Sequence, residues 1–218
     1  MRHTPHGRFI VLDFETTGLS PREGARVIEV SAREVVDGEA GEEFLTFIDP
    51  GVRVPARITQ ITGITPGMVR GAPTSAIAMQ RLAAFLGTSP VVGHNIAFDR
   101  QFLEHEAGEH LAGRQVRTLL LARRMLPGRP CYRLGSLIDA AGIARPERLH
   151  RASADTWVTL HLFGRLCEHA HSACGSRPLD HDLLDRLQRV RIAAAHDWLR
   201  DQDRGTPEHE NRLSASSR

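Results

Sequence analysis

The chain has 218 residues, which is long enough to bury a substantial core in one large domain or in one domain with a tail. Hydrophobic residues make up 41% of it and charged residues 25%, as in an ordinary globular protein. The net charge of +2 is too small to identify a nucleic-acid-binding protein, because phosphate binding depends on where basic residues cluster. The sequence shows no signal-peptide core and no apolar run near the roughly 20 residues that span a bilayer, so we expect a cytoplasmic protein without a membrane partner.

The first part of the chain alternates β-rich segments with glycine-bearing turns. The segments are residues 8–13, 26–36 and 42–48. Three strands joined by such short links predict an antiparallel meander.

Beyond Pro55 the pattern becomes helical. Apolar residues recur at helical spacing at Ile77, Leu82, Phe85 and Leu86. A short strand follows at "PVVGH", and then a helix-like segment at "AFDRQFLEHEA". Strands followed by alternating helices and strands predict an α/β sheet with helices packed on it.

The C-terminal part is predicted to be mainly helical. A short helical stretch occurs at "LGSLIDAAGI", and a longer helix is expected over residues 153–170. A linker is expected at "HSACGSRP", followed by one amphipathic helix over residues 178–199. The residues on the apolar face of that helix are Leu183, Leu187, Val190 and Ala194.

The domain prediction follows from these segments. Residues 1–170 are expected to form the globular unit, and residues 171–218 a tail that contains the linker and the amphipathic helix. Residues 205–218 are polar and aperiodic, so we expect them to be disordered.

The strand-like stretch "IVLDFETTGLS" ends in two carboxylates, Asp13 and Glu15, that are separated by one residue. Residues two apart in a strand point to the same face, so both carboxylates should converge at one end of the sheet. That placement is unfavourable unless a cation compensates the charge. Divalent metals such as Mg²⁺ or Mn²⁺ take oxygen ligands of this type.

Two later stretches place an acid at the start of a helix. In "VVGHNIAFDRQF" an apolar strand ends at Gly93, and Asp99 falls in the first turn of the next helix. In "HRASAD", His150 and Asp155 flank the start of another helix. Each stretch also has a purely structural interpretation, because acids favour helix N-termini and histidines are common in solvated loops.

The order of the motifs, D-x-E, then H-N-x-x-F-D, then H-x-A-x-x-D, resembles the three exonuclease motifs of the DEDDh, or DnaQ-like, 3′→5′ exonuclease family. That family includes the proofreading epsilon subunit and the PolC-type exonuclease domain of bacterial DNA polymerase III. The resemblance covers roughly residues 8–168 and extends to the segments between the motifs.

The resemblance implies a ribonuclease-H-like α/β fold, in which a mixed five-stranded sheet is flanked by helices and followed by a C-terminal helical tail. It implies four metal-binding acids and one catalytic histidine, which are Asp13, Glu15, Asp99, Asp155 and His150. It also implies residues that bind the terminal nucleotide or shape its cleft, which are Thr16, Thr17, Leu19, His94, Asn95 and Phe98. Leu19 is expected to act as an apolar wedge against the last base.

The implied activity is metal-dependent hydrolysis of phosphodiester bonds at the 3′ end of single-stranded or frayed DNA, with release of nucleoside monophosphates. Two Mg²⁺ or Mn²⁺ ions, about 3.5–4 Å apart, activate the water and stabilise the leaving 3′-oxygen in such sites. Asp13 is expected to bridge the ions, Glu15 and Asp155 to complete the nucleophile-side site, and Asp99 to hold the second ion. His150 is expected to deprotonate the water, because imidazoles titrate near neutral pH.

Several alternatives stay open at the level of sequence. An exoribonuclease that trims RNA or short oligonucleotides would use the same five residues, because discrimination of the 2′-OH depends on the shape of the pocket. A non-catalytic binding module predicts loss of at least one of the five, and all five are present. The C-terminal helix either docks on a polymerase subunit or folds back on its own domain, and the nuclease is either free-standing or active only inside a polymerase complex.

Overall fold

The computed structural model describes residues 5–108, 114–146, 150–175 and 177–204. These residues contain a five-stranded sheet of order β3-β2-β1-β4-β5. The strands are β1 Arg8–Thr16, β2 Val27–Val36, β3 Glu39–Phe47, β4 Val91–Gly93 and β5 Gln115–Arg117. The β1–β2 and β2–β3 pairs are antiparallel, whereas the β1–β4 and β4–β5 pairs are parallel. The predicted meander and the predicted mixed sheet are both confirmed.

A two-residue turn joins β2 to β3. Asp37 and Gly38 have φ angles of +48° and +82°. Positive φ at both central residues is typical of the type I′ turn, whose twist matches that of the strands it connects. The turn therefore sets the register of the pairs next to it, and an irregularity between Arg33 and Val35 shifts the register of the rest of the hairpin.

Helices cover both faces of the sheet in the described part of the chain. They are α1 Ala56–Thr62, α2 Pro66–Val69, α3 Ser75–Leu86, α4 Ile96–Ala107, α5 Thr118–Met125, α6 Leu134–Ala140, α7 Ala152–Cys174, α8 His181–Leu187 and α9 Ala195–Arg204. No helix among these residues combines the length and the apolar composition needed to cross a bilayer.

Alternate residues of β1 enter two separate hydrophobic cores. Phe9 and Val11 pack with residues of α5, α7, α8 and α9, whereas Ile10 and Leu12 pack with residues of α3 and α4. Because side chains alternate along a strand, Asp13 continues the face of Phe9 and Val11. The end of β1 therefore directs its carboxylates to the face of the sheet that α7 covers.

The C-terminal helices differ from the prediction in two ways. The expected linker at "HSACGSRP" is wrong in its first half, because α7 continues to Cys174. The expected single helix over residues 178–199 is also wrong, because α8 ends at Leu187 and α9 begins at Ala195, with a short 3₁₀ turn between them. Of the four residues predicted to share an apolar face, Leu183 and Leu187 are buried, Val190 is partly buried and Ala194 is exposed.

Gln188, the residue that follows α8, anchors the end of this helix on β5. Its side-chain amide donates to the carbonyl of Gln115 at 2.7 Å, and its Oε1 accepts the N–H of Arg117 at 3.1 Å. These bonds satisfy backbone groups of the edge strand β5, which β4 pairs on one side only.

The described part of the predicted tail packs on the same core as the rest of the domain. Leu184 and Leu187 of α8 and Ala195 and Leu199 of α9 are buried in one cluster with Phe9. Of the two alternatives for the tail, the structure shows that it folds back on its own domain. The predicted disorder of residues 205–218 lies outside the described residues.

Candidate active site

The end of β1 carries the two carboxylates of the D-x-E motif. Asp13 and Glu15 are both partly buried. Between them, the backbone N–H of Phe14 donates to Oδ1 of Asp99 at 3.0 Å. This hydrogen bond holds the first turn of α4 against the end of β1, so the acids of the first two motifs lie together.

The start of α7 forms the other half of the site. His150 has a left-handed backbone conformation, with φ of +62°, and its N–H donates to Oδ2 of Asp155 at 3.2 Å. The side chains of Glu15, His150 and Asp155 each offer a ligand atom, and these atoms lie within 4.8 Å of one another. The third motif therefore meets the first at the end of β1.

Burial and crowding make this arrangement of acids electrostatically unfavourable. Burial raises the pKa of Asp13 well above its ordinary value, and the charges of Asp99, Asp155 and Glu15 raise it further. Burial raises the pKa of Glu15 to about 8 and the pKa of Asp99 to about 7. Burial also raises the pKa of Asp155, partly offset by the charge of His150 and the hydrogen bond from its N–H.

The donor set fits hard divalent cations. Four carboxylates converge with one imidazole, and oxygen-rich sites of this kind suit Mg²⁺ or Mn²⁺. Burial is the main cause of the raised pKa values of Glu15 and Asp99, and the charge of Arg151 offsets only part of the rise at Glu15. Bound metal would supply the remaining compensation.

A buried ion pair next to the site was missed by sequence reasoning. Glu29, on β2, is 1% exposed, and it accepts hydrogen bonds from Arg151 Nε at 3.1 Å and Nη2 at 2.6 Å. It also accepts the N–H of Ala152, the first residue of α7, at 2.9 Å. The guanidinium carbon of Arg151 lies 5.4 Å from the centre of the Phe47 ring. In the sequence, Glu29 could have been noticed as an acid inside the apolar stretch "RVIEVSA". The residues around it, however, do not indicate that Arg151 is its partner.

The loop after β1 presents Leu19 to solvent. Thr16 and Thr17 are buried, and their hydroxyls stabilise this loop instead of projecting from it. Thr16 Oγ1 donates to the carbonyl of Gly18 at 2.7 Å, and Thr17 Oγ1 accepts the N–H of Arg26 at 2.8 Å. The Leu19 side chain is 82% exposed. The two threonines thus hold the loop that positions Leu19.

His94 connects the end of β4 to two other segments. Its Nδ1 lies 3.0 Å from Thr118 Oγ1, and its Nε2 lies 2.9 Å from the carbonyl oxygen of Tyr132. Because a carbonyl only accepts, Nε2 carries the proton and Nδ1 accepts from the threonine hydroxyl. Burial lowers the pKa of His94, which favours this neutral ring. Both ring nitrogens of His94 therefore form hydrogen bonds that connect β4 to Thr118 and Tyr132.

The turn from β4 into α4 is held close to β1. A Cβ on Gly93 would lie 3.0 Å from Ile96 Cβ and 3.3 Å from the carbonyl oxygen of Leu12, so any larger residue there would require these neighbours to shift. Asn95 is exposed at the start of α4. Phe98 is partly buried, with its ring centre 5.1 Å from that of Phe102. Asn95 and Phe98 thus lie near Asp99 at the start of α4. Asn95 is exposed, whereas Phe98 packs against Phe102.

The mixed sheet, with acids gathered at the end of its central strand, defines a ribonuclease-H-like exonuclease fold. Residues 10–163 match the model of the exonuclease family designated RNase_T. The chain belongs to this family.

Relatives and solved structures agree with this assignment. The chain is 36% identical over 157 residues to the PolC-type DNA polymerase III of Clostridium perfringens, covering 71% of this chain and 11% of that protein. It is 33% identical over 166 residues to the DNA polymerase III subunit epsilon of Aquifex aeolicus, covering 74% of this chain and 81% of that protein. Exonuclease X, solved in complex with 5′ overhanging duplex DNA, superposes with a TM-score of 0.64 at 22% identity, over 83% of this chain and 99% of that chain. The chain thus spans only a small part of the PolC-type relative.

Proposed function

We propose that this protein is a metal-dependent 3′→5′ exonuclease that acts on single-stranded or frayed DNA and releases nucleoside monophosphates. The observation that carries this proposal is the convergence of three motifs at one end of the sheet. The side chains of Glu15, His150 and Asp155 offer ligand atoms within 4.8 Å of one another, and Asp99 is bonded to the strand between Asp13 and Glu15. The family to which the chain belongs supports the reaction class.

Asp13, Glu15, Asp99 and Asp155 would hold two divalent cations, for which we propose Mg²⁺ or Mn²⁺. When bound, such ions lower the pKa of water and stabilise the charge that develops on the phosphate and the leaving oxygen. The protein contributes by holding the four carboxylates in place before the cations arrive. The Phe14 N–H fixes Asp99, and the His150 N–H fixes Asp155.

His150 is proposed to accept the proton of the attacking water at a ring nitrogen. It is exposed, and its left-handed backbone turns the chain into α7. Its backbone N–H is bonded to Asp155, and a ring nitrogen lies within 4.8 Å of carboxylate oxygens of Glu15 and Asp155, so the imidazole is next to the proposed metal site. Proton transfer by a positioned imidazole typically contributes about 10²–10⁴-fold to the rate.

Leu19 is proposed to contact the terminal base. Leu19 is exposed, so contact with the face of a base would remove apolar surface of both the leucine and the base from water. Burial of apolar surface favours binding. Thr16 and Thr17 are proposed to act through the loop that they stabilise. His94, Asn95 and Phe98 are proposed to shape the wall opposite this loop.

A polymerase subunit is proposed as a partner on the strength of the names of the curated relatives. The proposed contact is not the apolar stripe of α9, because Ala195 and Leu199 are buried against the protein's own core. Any polymerase contact would use other surfaces. Co-purification with a polymerase subunit tests the partnership.

The test is digestion of 5′-labelled single-stranded DNA and RNA of matched sequence, with Mg²⁺, Mn²⁺ or EDTA. We expect a metal-dependent DNA ladder that shortens from the 3′ end, lost in Asp13→Asn and kept in Asp182→Asn, whose side chain is 88% exposed on α8. Faster shortening of RNA would reassign the substrate to RNA. Internal cuts, activity in EDTA or an active Asp13→Asn protein would contradict the mechanism, and inactivity on both polymers would favour a binding module.

A further inference from the structure

A large cleft extends from the candidate active site along the face formed by α5 and the loop that follows it. Its volume is about 830 Å³. It is lined by His150 and Asp155 of the candidate active site and by Arg123, Tyr132 and Arg133. A pocket of roughly 300–1,000 Å³ is large enough to enclose much of a bound ligand.

One wall of this cleft is the loop that follows α5, and hydrogen bonds hold this loop in place. The Tyr132 hydroxyl donates to the carbonyl of Leu126 at 2.8 Å and accepts the N–H of Arg129 at 3.2 Å. The Tyr132 carbonyl accepts from His94 Nε2 at 2.9 Å. These contacts tie both ends of the loop to the body of the protein, so the wall is ordered before a ligand binds.

The same wall is positively charged. Arg123 and Arg133 are exposed in the cleft, and neither forms an ion pair with any of the described residues. Arg123 lies with its guanidinium carbon 5.9 Å from the centre of the Tyr132 ring, which limits its motion. Arg145, by contrast, also lines the cleft but is bound by Asp139. The two unpaired arginines are therefore available to an anionic ligand.

Most of the charged residues that line the cleft are arginines. Asp155, which belongs to the candidate metal site, is the sole acid among the described lining residues, whereas Arg123, Arg133 and Arg145 line the same cleft. Arginine binds phosphate oxygens through paired N–H donors and is the preferred residue for phosphate recognition. A ligand with several phosphates, one of them at the candidate metal site, matches this distribution of charge.

We propose that Arg123 and Arg133 bind phosphates of the DNA strand beyond the scissile one, so that this cleft guides the single strand into the active site. The proposal rests on the exonuclease function proposed above. Proteins that bind single strands without sequence preference commonly follow the backbone with a positively charged groove. An exonuclease substrate carries additional phosphates only on the 5′ side of the bond that is cut, so the cleft binds that part of the strand.

The first experiment compares two substrates. A dinucleotide has the scissile phosphate and no other internal phosphate, whereas a single strand of about ten nucleotides reaches into a groove of this kind. We expect the ratio of kcat/KM for the longer strand to kcat/KM for the dinucleotide to fall about tenfold in Arg123→Ala and in Arg133→Ala, because each loses a charge-assisted contact. The slope of log kcat/KM against log salt should become shallower by about 1 for each variant.

Arg81→Ala is the matched control. Arg81 is exposed on α3, which packs on the opposite face of the sheet from α5. Both the substrate ratio and the salt slope should match the unmodified protein. If Arg123→Ala and Arg133→Ala behave like Arg81→Ala while the protein cleaves both substrates, the cleft proposal is overturned and the exonuclease function stands. If the unmodified protein cleaves neither substrate, the exonuclease function itself fails.

A second measurement needs no variant. Cys131 lines the cleft, whereas Cys167 and Cys174 are buried, so a thiol reagent should modify Cys131 first. A hydrogen bond from Ser136 lowers the pKa of the Cys131 thiol, which favours its reaction. A hydrolysis-resistant phosphorothioate strand, added with Mg²⁺, should slow alkylation of Cys131 at least threefold, and thymidine monophosphate should not. An unchanged alkylation rate with saturating strand would overturn the proposal.

Discussion

Arg151, which follows the candidate active-site residue His150, forms an ion pair with Glu29, 122 residues away in the chain, through both Nε and Nη2. The Glu29 carboxylate simultaneously accepts the first backbone N–H of α7. This pair fixes the direction in which α7 begins and therefore the positions of His150 and Asp155.

We expect Glu29→Gln to lower both stability and turnover. The variant leaves the partly buried guanidinium of Arg151 without its counter-charge, and breaking such a pair costs about 2–3 kcal/mol after allowance for solvent at Arg151. The fold decrease in kcat should exceed the fold increase in KM. The reason is that the change displaces His150 and Asp155, which are proposed to act in the reaction, and leaves the residues proposed to bind the DNA strand in place. Urea unfolding and steady-state kinetics measure the two effects.

The control for this pair is Glu168→Gln, which removes the acid of an ion pair with Arg165 on the solvent side of α7. Exposed ion pairs contribute little to stability, so the free energy of unfolding and the turnover should both stay close to the parent values. If Glu29→Gln behaves like Glu168→Gln, the pair does not position the site.

The metal-free protein should lose stability as the pH rises through the neutral range. The pKa of Glu15 rises from an ordinary value of 4.5 to about 8, and that of Asp99 from 3.8 to about 7. The folded state therefore binds more protons than the unfolded state between these values, and the free energy of unfolding falls as the pH increases from about 4 to about 8. Thermal unfolding in EDTA at pH 5.5 and pH 8 measures the difference.

Added Mg²⁺ or Mn²⁺ should reverse that loss. The cation binds the ionised carboxylates of the folded state, so the increase in Tm on adding metal should be larger at pH 8 than at pH 5.5. The control Asp99→Asn keeps an acceptor for the Phe14 N–H but removes one charge. It should weaken both the pH dependence and the metal-induced stabilisation. A metal-induced shift in Tm of equal size at both pH values would argue against binding to these carboxylates.

Replacing His150 should reduce turnover without abolishing metal binding. The expected loss in kcat is about 10²–10⁴-fold for a residue that transfers a proton in the transition state. Isothermal titration with Mn²⁺ should give nearly the parent affinity. A large loss of metal affinity would identify His150 as a ligand instead of a general base.

The backbone of His150 determines which substitutions are informative. Its φ of +62° strains most side chains, but asparagine and glycine adopt this conformation more readily. His150→Asn and His150→Gly should therefore be as inactive as His150→Ala while remaining as stable as the parent. Recovery of activity in His150→Gly would show that the alanine variant failed because of backbone strain.

Leu19→Ala should affect substrate use and not folding. The side chain is 82% exposed, so the free energy of unfolding should change by less than about 0.5 kcal/mol. KM for a DNA strand should rise several-fold, because the variant removes the apolar contact proposed for the terminal base. Val36→Ala is the control, since Val36 is also exposed and pairs with Arg8 at the opposite end of β1. Equal KM values for the two variants would show that Leu19 does not contact the substrate.

Local patterns were sufficient to predict much of the framework. The alternation in β1 predicted that Asp13 and Glu15 share a face. The apolar spacing of Ile77, Leu82, Phe85 and Leu86 predicted a helix, which the structure shows as α3. The strand β5 was not located from the sequence, because a three-residue strand is too short to show a periodic pattern.

The sequence by itself determined the order of the motifs and the periodicity of the main elements, because both depend on neighbours within a few residues of the chain. Only the tertiary structure decided which distant groups meet. The Glu29–Arg151 pair and the bonds from Gln188 to β5 join segments more than 70 residues apart. Such contacts depend on how helices pack across a sheet, and no local pattern encodes that geometry. The local pattern also predicted one amphipathic helix where the structure has two, α8 and α9.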